Sequence, residues 1–418
     1  MPEYRHNHYV PAWYQSRFIP AGTADRELFY LDLHPTDGYR DKRGTFHPGS
    51  GRHRWGPRKC FAEDDLYTSY LGATPATEIE RFFFGEIDRK GRAAVEAFGA
   101  FSHESRGAFE AFHDLLLYMV TQKLRTPKGL GWLAGQVGID NREQLLRLMM
   151  NLRRMYNAVW SECVWLIADA IHSDTKFIIS DHPVALYNRE CGPRSRWCRG
   201  YEDPDPRFHA THVLFPLSID RILILTNLSW VRNPYQSGLA PRPNPSLARA
   251  GLFKFMDIQA ERHLTEQEVR EINFILKSRA LRYVAAGVED WLYPERYVSK
   301  SDWSTFGHGY LLMPDPRSIH MGGTAYLGYD SGRTDAFDEY GRKPWESDFG
   351  AGAGSEESAA LDRFKGEFSR LFGRRRRGRT WEFGSLQAED VGQEEHRFNL
   401  SLEEEGKNAL RRLRSRAQ

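Results

Sequence analysis

Two histidines near the N-terminus are the first residues whose spacing could serve chemistry. Residues 5–11 read Arg-His-Asn-His-Tyr-Val-Pro, so that His6 and His8 stand two apart. In an extended segment this spacing puts both imidazoles on one face, and Pro11 favours an extended residue before it. Such a pair can act as general acid and base or supply two of three metal ligands. The alternatives are a surface pair and core histidines bonded to carbonyl groups.

Gln122 and Arg125 are predicted at the end of a helix, just before Thr126 and Pro127. Gln122 shares the apolar face of that helix with Tyr118, so that its amide needs a buried partner. Arg125 can clamp a phosphate or carboxylate with two hydrogen bonds, or pair with a helix end or an acid elsewhere. A substrate-binding role and a structural role therefore stay open for both side chains.

An apolar strand is predicted to end in Ser180-Asp181-His182-Pro183. Carboxylates at strand ends are common catalytic groups, because a rigid strand presents them at the edge of the core. Asp181 could orient an imidazole, act as a base or bind a metal. An Asx turn ahead of the proline would explain the same residues without a function.

Asn273 is predicted on the apolar face of a later helix, four residues after Val269. An amide buried there costs about 1–3 kcal/mol unless it is hydrogen-bonded, so we expect a structural or catalytic role. The candidate site comprises His6, His8, Asp181 and Asn273 as catalytic groups, with Asn7, Tyr9, Gln122, Arg125 and Ser180 as substrate-binding groups.

A cofactor is not specified by these residues. A divalent metal held by His6, His8 and Asp181 would have three protein ligands and an open position, although nothing in the spacing demands it. The four cysteines are too few and too scattered for a disulfide framework, and we expect them to be reduced. The spacing of Cys191 and Cys198 is a poor match to structural zinc loops.

Periodicity predicts a mixed chain. Helices are expected at 74–92, where Thr77 and Glu80 form a capping box, and at 107–125, 141–156 and 159–170. Strands are expected at 28–33 and 176–180, and a hairpin at 212–226. A second capping box at Thr265 and Glu268 opens a helix that should end near 286–287.

The expected class is α+β, with a mainly helical core, a small antiparallel sheet and a single main domain plus a C-terminal extension. Residues 1–300 form the core domain and residues 301–349 a Gly- and Tyr-rich irregular extension. Residues 350–418 form a charged, largely disordered tail with a short helix at 359–372.

Charge and hydropathy bear on the partners. The net charge of +2 excludes little, but Arg40 to Lys59 and Arg374 to Arg379 are basic runs that could contact nucleic acid or simply be solvated. No stretch reaches the ~20 apolar residues of a membrane span, and the N-terminus lacks the pattern of a signal peptide. A cytoplasmic protein with no membrane association is therefore expected, while the oligomeric state stays open.

These segments, in this order, resemble the domain of unknown function 4238 family. Its HHYVP-like N-terminus, QxxRTP helix end, FITSDxPV strand, FPLS strand and late-helix Asn correspond to residues 6–18, 122–127, 177–184, 215–218 and Asn273. Two departures are that Asn7 separates the histidines and that Ile179 replaces a threonine. The resemblance, over about residues 5–290, implies a shared fold unit and polar constellation but no reaction.

Three functions fit these residues. An imidazole pair, an arginine for anionic charge and amides to orient oxygens suit phosphodiester cleavage, which indicates a nuclease-like hydrolase that could serve bacterial defence or toxicity. A second hypothesis is a non-enzymatic module that binds a small anionic ligand or nucleic acid. The third is a structural polar network in an interaction protein.

Overall fold

A computed structural model describes most of the chain between residues 6 and 381. The residues described are 6–36, 38–64, 66–67, 69–71, 74–76, 84–139, 141–193, 195–198, 203–242, 253–349, 355–373 and 375–381. Among the helices within these ranges, none has both the length and the apolar composition needed to cross a bilayer.

The helices of the described residues range from one turn to five. They are α1 Ala12–Gln15, α2 Gly85–Gly99, α3 Arg106–Arg125, α4 Pro127–Val137, α5 Arg142–Ser161, α6 Leu228–Arg232, α7 Glu266–Ser278 and α8 Ser355–Phe372. Short 3₁₀ turns lie at Ser16–Phe18, Phe255–Asp257, Glu289–Leu292, Pro294–Arg296, Lys300–Gly309 and Pro316–Ser318.

The strands form two larger sheets and several hairpins. They are β1 His6–His8, β2 Leu28–Asp32, β3 Gly38–Arg40, β4 Phe46–Pro48, β5 Arg52–Trp55, β6 Ala62–Asp64, β7 Ser69–Leu71, β8 Thr74–Ala76, β9 Cys163–Asp169, β10 Ile179–Ser180, β11 Ala185–Tyr187, β12 His212–Pro216, β13 Arg221–Asn227, β14 Gln259–His263, β15 Tyr283–Ala286, β16 Thr324–Gly328 and β17 Thr334–Asp338. One sheet has the order β11-β12-β13-β9-β14 and the other the order β10-β15-β2-β5.

The five-stranded sheet runs through the core. Strand β9 lies between β13, which is antiparallel to it, and β14, which is parallel. All seven residues of β9 are buried, as expected for a central strand covered on both faces. The hairpin of β12 and β13 sets Leu214 opposite Ile224, which confirms the hairpin predicted at 212–226.

The junction of α3 and α4 is set by Thr126 and Pro127. Proline cannot continue α3, because its ring would clash with the preceding turn, but its fixed φ suits the first position of a new helix. Thr126 caps α4 by accepting a hydrogen bond from Gly129 N at 3.1 Å. The two helices therefore meet at one residue, and side chains on both sides of the junction point into the same region.

The C-terminal segment contributes to a second core cluster. Helix α8 buries Leu361, Phe364 and Phe368 against Trp230 and Val231 of α6. Among the described residues beyond 301, the strands are β16 and β17, which form a hairpin. The helix expected at 359–372 is thus present and begins a few residues earlier, while residues 382–418 lie outside the described part.

The α+β class is observed, but the mainly helical core with a small sheet is not confirmed, since the central layer is a five-stranded mixed sheet. The helix predicted at 159–170 is wrong over most of its length, because residues 163–169 form β9. Residues 74–76 form strand β8 rather than the start of a helix. The predicted cap at Thr77 and Glu80 lies outside the described residues.

Candidate functional site

The N-terminal histidine segment is an edge strand. Strand β1 pairs with β6, and His8 donates from Nε2 to Arg58 O at 3.0 Å. Asn7 is buried and its Oδ1 accepts from Tyr67 N at 3.3 Å, while the ring of Tyr9 is buried in the core. The side chain of His6 lies outside the described part. The segment is therefore fastened largely by bonds to the backbone of residues 58–67.

Gln122 and Arg125 belong to a buried ion pair. Arg125 Nη1 and Nη2 donate to the two carboxylate oxygens of Asp88 on α2, at 3.1 and 2.8 Å, and its Nε donates to Gln122 Oε1 at 2.6 Å. Gln122 Nε2 in turn donates to Tyr118 Oη at 3.1 Å. Although burial alone would lower the pKa of Arg125, the carboxylate of Asp88 raises it above its usual value. Both side chains therefore have buried partners within the protein, as expected for a structural role.

The Asp181 carboxylate is hydrogen-bonded to backbone amides. Its carboxylate accepts hydrogen bonds from the amides of Leu281, Arg282 and Tyr283, at 2.9, 2.6 and 2.8 Å, which fixes the end of β10 to the start of β15. Ser180 Oγ accepts from His182 N at 3.2 Å. Burial raises the pKa of Tyr9 well above its usual value, and the nearby Asp181 carboxylate raises it further.

The Asn273 side chain also hydrogen-bonds to backbone groups. Its Oδ1 accepts from Ile178 N at 3.2 Å and its Nδ2 donates to Lys176 O at 2.8 Å, so that α7 holds the segment that leads into β10. The structure thus brings Gln122 and Arg125 together, and Tyr9 near Asp181. No described contact joins Asn273 to either group, and its catalytic role stays a prediction.

A metal site is not evident in the described part of the chain. No group of three or more histidine, cysteine, aspartate or glutamate side chains there is arranged to hold a metal ion. Because the side chain of His6 is not described, the metal predicted at His6, His8 and Asp181 stays a prediction.

The sequence did not predict one group of buried charges, which we call the lysine cluster. It is formed by Lys123, Lys128, His182 and Asp203. Lys123 Nζ donates to Asp203 Oδ2 at 2.6 Å and to His182 Nε2 at 2.8 Å. Lys128 Nζ donates to the other carboxylate oxygen, Asp203 Oδ1, at 3.0 Å. Both lysine side chains and that of Asp203 are at least nine-tenths buried.

The junction of α3 and α4 positions this cluster. Lys123 lies in the last turn of α3 and Lys128 in the first turn of α4, with Thr126 between them. The Thr126 hydroxyl bonds to His182 Nδ1 at 2.7 Å, and Lys128 Nζ also donates to Arg279 O at 2.6 Å. The bond from Lys123 makes Nε2 of His182 the acceptor, so that the ring carries its proton on Nδ1.

Burial shifts the pKa values of the side chains in the lysine cluster. It lowers the pKa of Lys123 to about 8, with Lys128 adding to the effect and Asp203 opposing it. It lowers the pKa of His182 to about 3, so that the ring is neutral at pH 7. Burial alone would raise the pKa of Asp203, but the two ammonium groups hold it well below its usual value. Two ammonium groups against one carboxylate leave the cluster with a surplus positive charge.

A groove of about 450 Å³ leads to the lysine cluster. Its walls come from α4, from α5, and from Trp197, Asp203 and residues 205–208, and they include the side chains of Trp132, Leu152 and Phe208. A cavity of about 10 Å³, with space for one water molecule, lies between the groove and the ammonium groups. Groove and cavity share Trp132, Asp203 and Pro206 as lining residues. The lysine cluster is therefore the polar inner end of an aromatic groove.

Another cavity, of about 160 Å³, lies beside β9 and has a different charge balance. Arg232 is buried there and pairs with Glu339 at 2.9 Å. Glu162 and Asp257 also line it, and Lys254 is the further cation. Acids match or outnumber bases among these residues, so that this cavity offers no surplus positive charge to an anion.

Some arginines of the two basic runs form ion pairs within the protein. In the first, Arg52 pairs with Glu289 at 3.0 Å and Arg54 pairs with Asp25 at 2.9 Å. In the second, Arg377 pairs with Glu268 at 2.5 Å and its guanidinium stacks on Phe372. Arg374 lies outside the described residues. Contact with nucleic acid through these runs is not supported by their geometry and stays a prediction.

Comparison with known proteins gives no assignment. No family model matches the chain, and no curated protein or solved structure is significantly similar to it. The resemblance to the domain of unknown function 4238 family therefore stays a prediction.

The lysine cluster carried only faint signals in the sequence. Lys123 and Lys128 flank the Thr126-Pro127 junction, and His182 directly follows Asp181. A lysine at a helix end usually favours the carbonyl groups there and reaches solvent, so that neither lysine predicts burial. Asp203 lies in a loop of many charges. The residue that could have pointed to the site is His182, an imidazole in the run of buried residues between β10 and β11.

Proposed function

We propose that the protein binds a small molecule that carries an anionic group on a flat or apolar body. The anion is held by Lys123 and Lys128, and the body lies in the aromatic groove. The observation that carries this proposal is that two buried ammonium groups converge on one carboxylate at the inner end of that groove. Buried charges with perturbed pKa values beside a pocket favour a functional site over a purely structural one.

Asp203 defines where the anion binds. Its two carboxylate oxygens take one ammonium group each, at 2.6 and 3.0 Å, as a carboxylate or phosphate of a ligand would. The inner cavity has space for only one water, so that the ligand's anion takes this position when the Asp203 side chain turns away. Asp203 thus occupies the anion position while no ligand is bound.

The groove walls suit a planar body. Trp132, Trp197 and Phe208 offer ring faces, and Arg196 stacks on Trp197 at 4.9 Å from the ring centre. Aromatic rings bind flat groups by offset or edge-to-face packing, which is worth about 0.5–1.5 kcal/mol per pair beyond the buried area. Arg207 pairs with Asp205 at 2.6 Å, so that the outer rim adds little net charge.

Calorimetry with matched probes tests the proposal. Benzoate is compared with benzamide, and a nucleoside monophosphate with its nucleoside, on the wild type and on the variants Lys123→Met, Lys128→Met and Lys277→Met. Lys277 is a partly buried lysine that pairs with Glu295, and serves as the control. We expect at least one anionic probe to bind better than its neutral counterpart, and to lose affinity in the first two variants only. Equal binding of the neutral probes, or unchanged binding to Lys123→Met, contradicts the proposal.

A nuclease-like hydrolase, with a role in bacterial defence or toxicity, is the second candidate function. It is favoured by the contact between Lys123 and the neutral ring of His182, since an ammonium group with a pKa near 8 can donate a proton to a leaving oxygen. Incubation of the purified protein with single-stranded RNA and DNA tests it. Cleavage that is lost in Lys123→Met and retained in Lys277→Met supports the hydrolase, and cleavage lost only in His8→Ala moves the site to the N-terminal segment.

A further inference from the structure

Two of the four cysteines lie together next to a wall of the groove. Cys198 Sγ lies 3.8 Å from Cys191 O and 3.5 Å from Gly192 O, and the two thiols are close enough that each shifts the pKa of the other. Two tight turns, from Ser195 N to Gly192 O and from Cys198 N to Ser195 O, bring them together. Trp197 of the groove wall directly precedes Cys198, so that any bond between the two sulfurs would constrain the wall.

Arg279 contacts both cysteines of this pair. Its side chain is completely buried, with Nη1 donating to Cys198 Sγ at 3.5 Å and Nη2 donating to Cys191 O at 2.8 Å. A guanidinium next to sulfur stabilises the thiolate, which is the form that reacts with oxidants. Cys198, next to the Arg279 guanidinium, is therefore placed as the attacking sulfur, and Cys191 as the resolving thiol.

The other two cysteines give an internal comparison. Cys60 and Cys163 are 5% and 8% exposed, close to the 6% of Cys198, so that accessibility does not distinguish the three. Burial raises the pKa of Cys60 to about 12 and that of Cys163 to about 11. The neighbouring Cys191 thiol and the Arg279 guanidinium instead lower the pKa of Cys198. Among these three thiols, Cys198 is therefore the one that most readily forms the thiolate.

We propose that Cys191 and Cys198 are a site of oxidative modification, which closes to an intramolecular disulfide when the protein meets hydrogen peroxide. The observations that carry the proposal are the position of Cys198 Sγ against Cys191 and the buried Arg279 guanidinium that bonds to both residues. It is independent of the anion site, since it needs neither a ligand nor the lysine cluster.

The reaction has two steps. The Cys198 thiolate attacks one oxygen of the peroxide, the O–O bond breaks, and a sulfenic acid forms while hydroxide leaves and takes up a proton to become water. The Cys191 thiol then attacks the Cys198 sulfur, the S–S bond forms, the S–O bond breaks and a second water leaves. Two electrons pass from the two thiols to the peroxide, which gives one disulfide and two waters.

Peptide mapping of the full-length protein tests the proposal. After exposure to graded hydrogen peroxide and blocking of the remaining thiols, trypsin cuts after the arginines at 189, 194, 196 and 199. A disulfide then links peptide 190–194 to peptide 197–199, and a reductant separates them. We expect this linked pair to form on the order of tenfold or more faster than oxidation of Cys60 or Cys163. Absence of the linked pair, or equal rates at all four cysteines, overturns the proposal.

Two variants separate the roles of the two sulfurs. In Cys191→Ser the resolving thiol is gone, so that sulfenic acid accumulates at Cys198 and is trapped by dimedone, whereas Cys198→Ser gives no adduct at position 191. If either variant fails to fold, the pH dependence of alkylation of the wild type replaces it. A midpoint near pH 7 for Cys198 supports the proposal, and a midpoint above pH 9, as for an ordinary buried thiol, contradicts it.

Discussion

A lysine ammonium loses most of its hydration when it is buried, and Lys123 replaces that water with three acceptors. Asp203, His182 Nε2 and Val184 O lie at 2.6, 2.8 and 3.3 Å from its Nζ. The penalty is only partly offset, which is why the pKa falls to about 8. A residue with this environment keeps its positive charge at neutral pH but loses it under mildly alkaline conditions.

The lowered pKa of Lys123 predicts how stability depends on pH. Between about pH 8 and about pH 10.4 the unfolded chain binds a proton here that the folded protein does not, so that stability from this group rises with pH. The cost of burying the charge is fully present below pH 8 and is relieved across that window. Over this pH range we expect the difference in free energy of unfolding, wild type minus Lys123→Met, to increase by about 2–3 kcal/mol. Urea titrations at several pH values measure it, and a constant difference would contradict the shift.

At the residue scale, the sequence identified polar side chains that are buried but not what they contact. Gln122 was correctly expected to need a partner, and it has one in Arg125. Lys123, next to it, gave no such signal, because its burial depends on Asp203, 80 residues further along the chain. Contacts of that separation are set by the packing of helices and loops, which local spacing does not encode.

At the scale of elements, α7 connects the two larger sheets. The capping box of Thr265 and Glu268 begins it, as the sequence predicts, and Asn273 bonds it to the segment before β10. Its end was predicted too late, because β15 begins at Tyr283. The error at β9 has a similar cause: a short apolar run fits a helix or a buried strand, and here the neighbouring β13 and β14 decide.

The contacts of Asn273 predict a structural effect on substitution. Asn273→Ala leaves Ile178 N and Lys176 O without their side-chain partner, and we expect a loss of about 1–3 kcal/mol in the free energy of unfolding. Gln267→Ala on the same helix removes only a bond to Glu271 and serves as the control. Chemical denaturation measures both. A folded, equally stable Asn273→Ala variant that has lost activity would instead return Asn273 to the catalytic role predicted from the sequence.

At the scale of the whole molecule, the C-terminal segment is part of the fold. Arg317 donates to Gly373 O at 2.7 Å and Arg375 O at 2.6 Å, and the backbone of Arg379 pairs with that of Ala260 in β14. The composition of this segment, in which Ser, Glu, Arg and Gly alternate with few apolar residues, predicts a solvated tail. Its docking depends on a few phenylalanines of α8 and on acids far away in sequence, such as Glu268.

The packing of α8 against α6 indicates where the C-terminal segment contributes to stability. Phe364 is completely buried against α6, and Phe364→Ala should cost about 3–5 kcal/mol in the free energy of unfolding. Phe109→Ala, at a phenylalanine that is 66% exposed, should change it by less than about 0.5 kcal/mol. Thermal and urea unfolding measure both. Similar small effects for the two variants would mean that α8 is not docked in solution.

The central claim is that Lys123 and Lys128 form an anion site which Asp203 occupies. The melting temperature of Asp203→Ala in two different salts tests it most directly. Asp203→Ala removes the carboxylate and leaves the two ammonium groups facing each other, so that the variant should lose about 3–5 kcal/mol. Its melting temperature is measured in sodium acetate and in sodium chloride at equal ionic strength, beside Asp205→Ala and the double variant Asp203→Ala/Lys128→Met. We predict that acetate raises the melting temperature of Asp203→Ala alone, because the added carboxylate fills the vacated position. The same melting temperature in both salts would contradict the anion site.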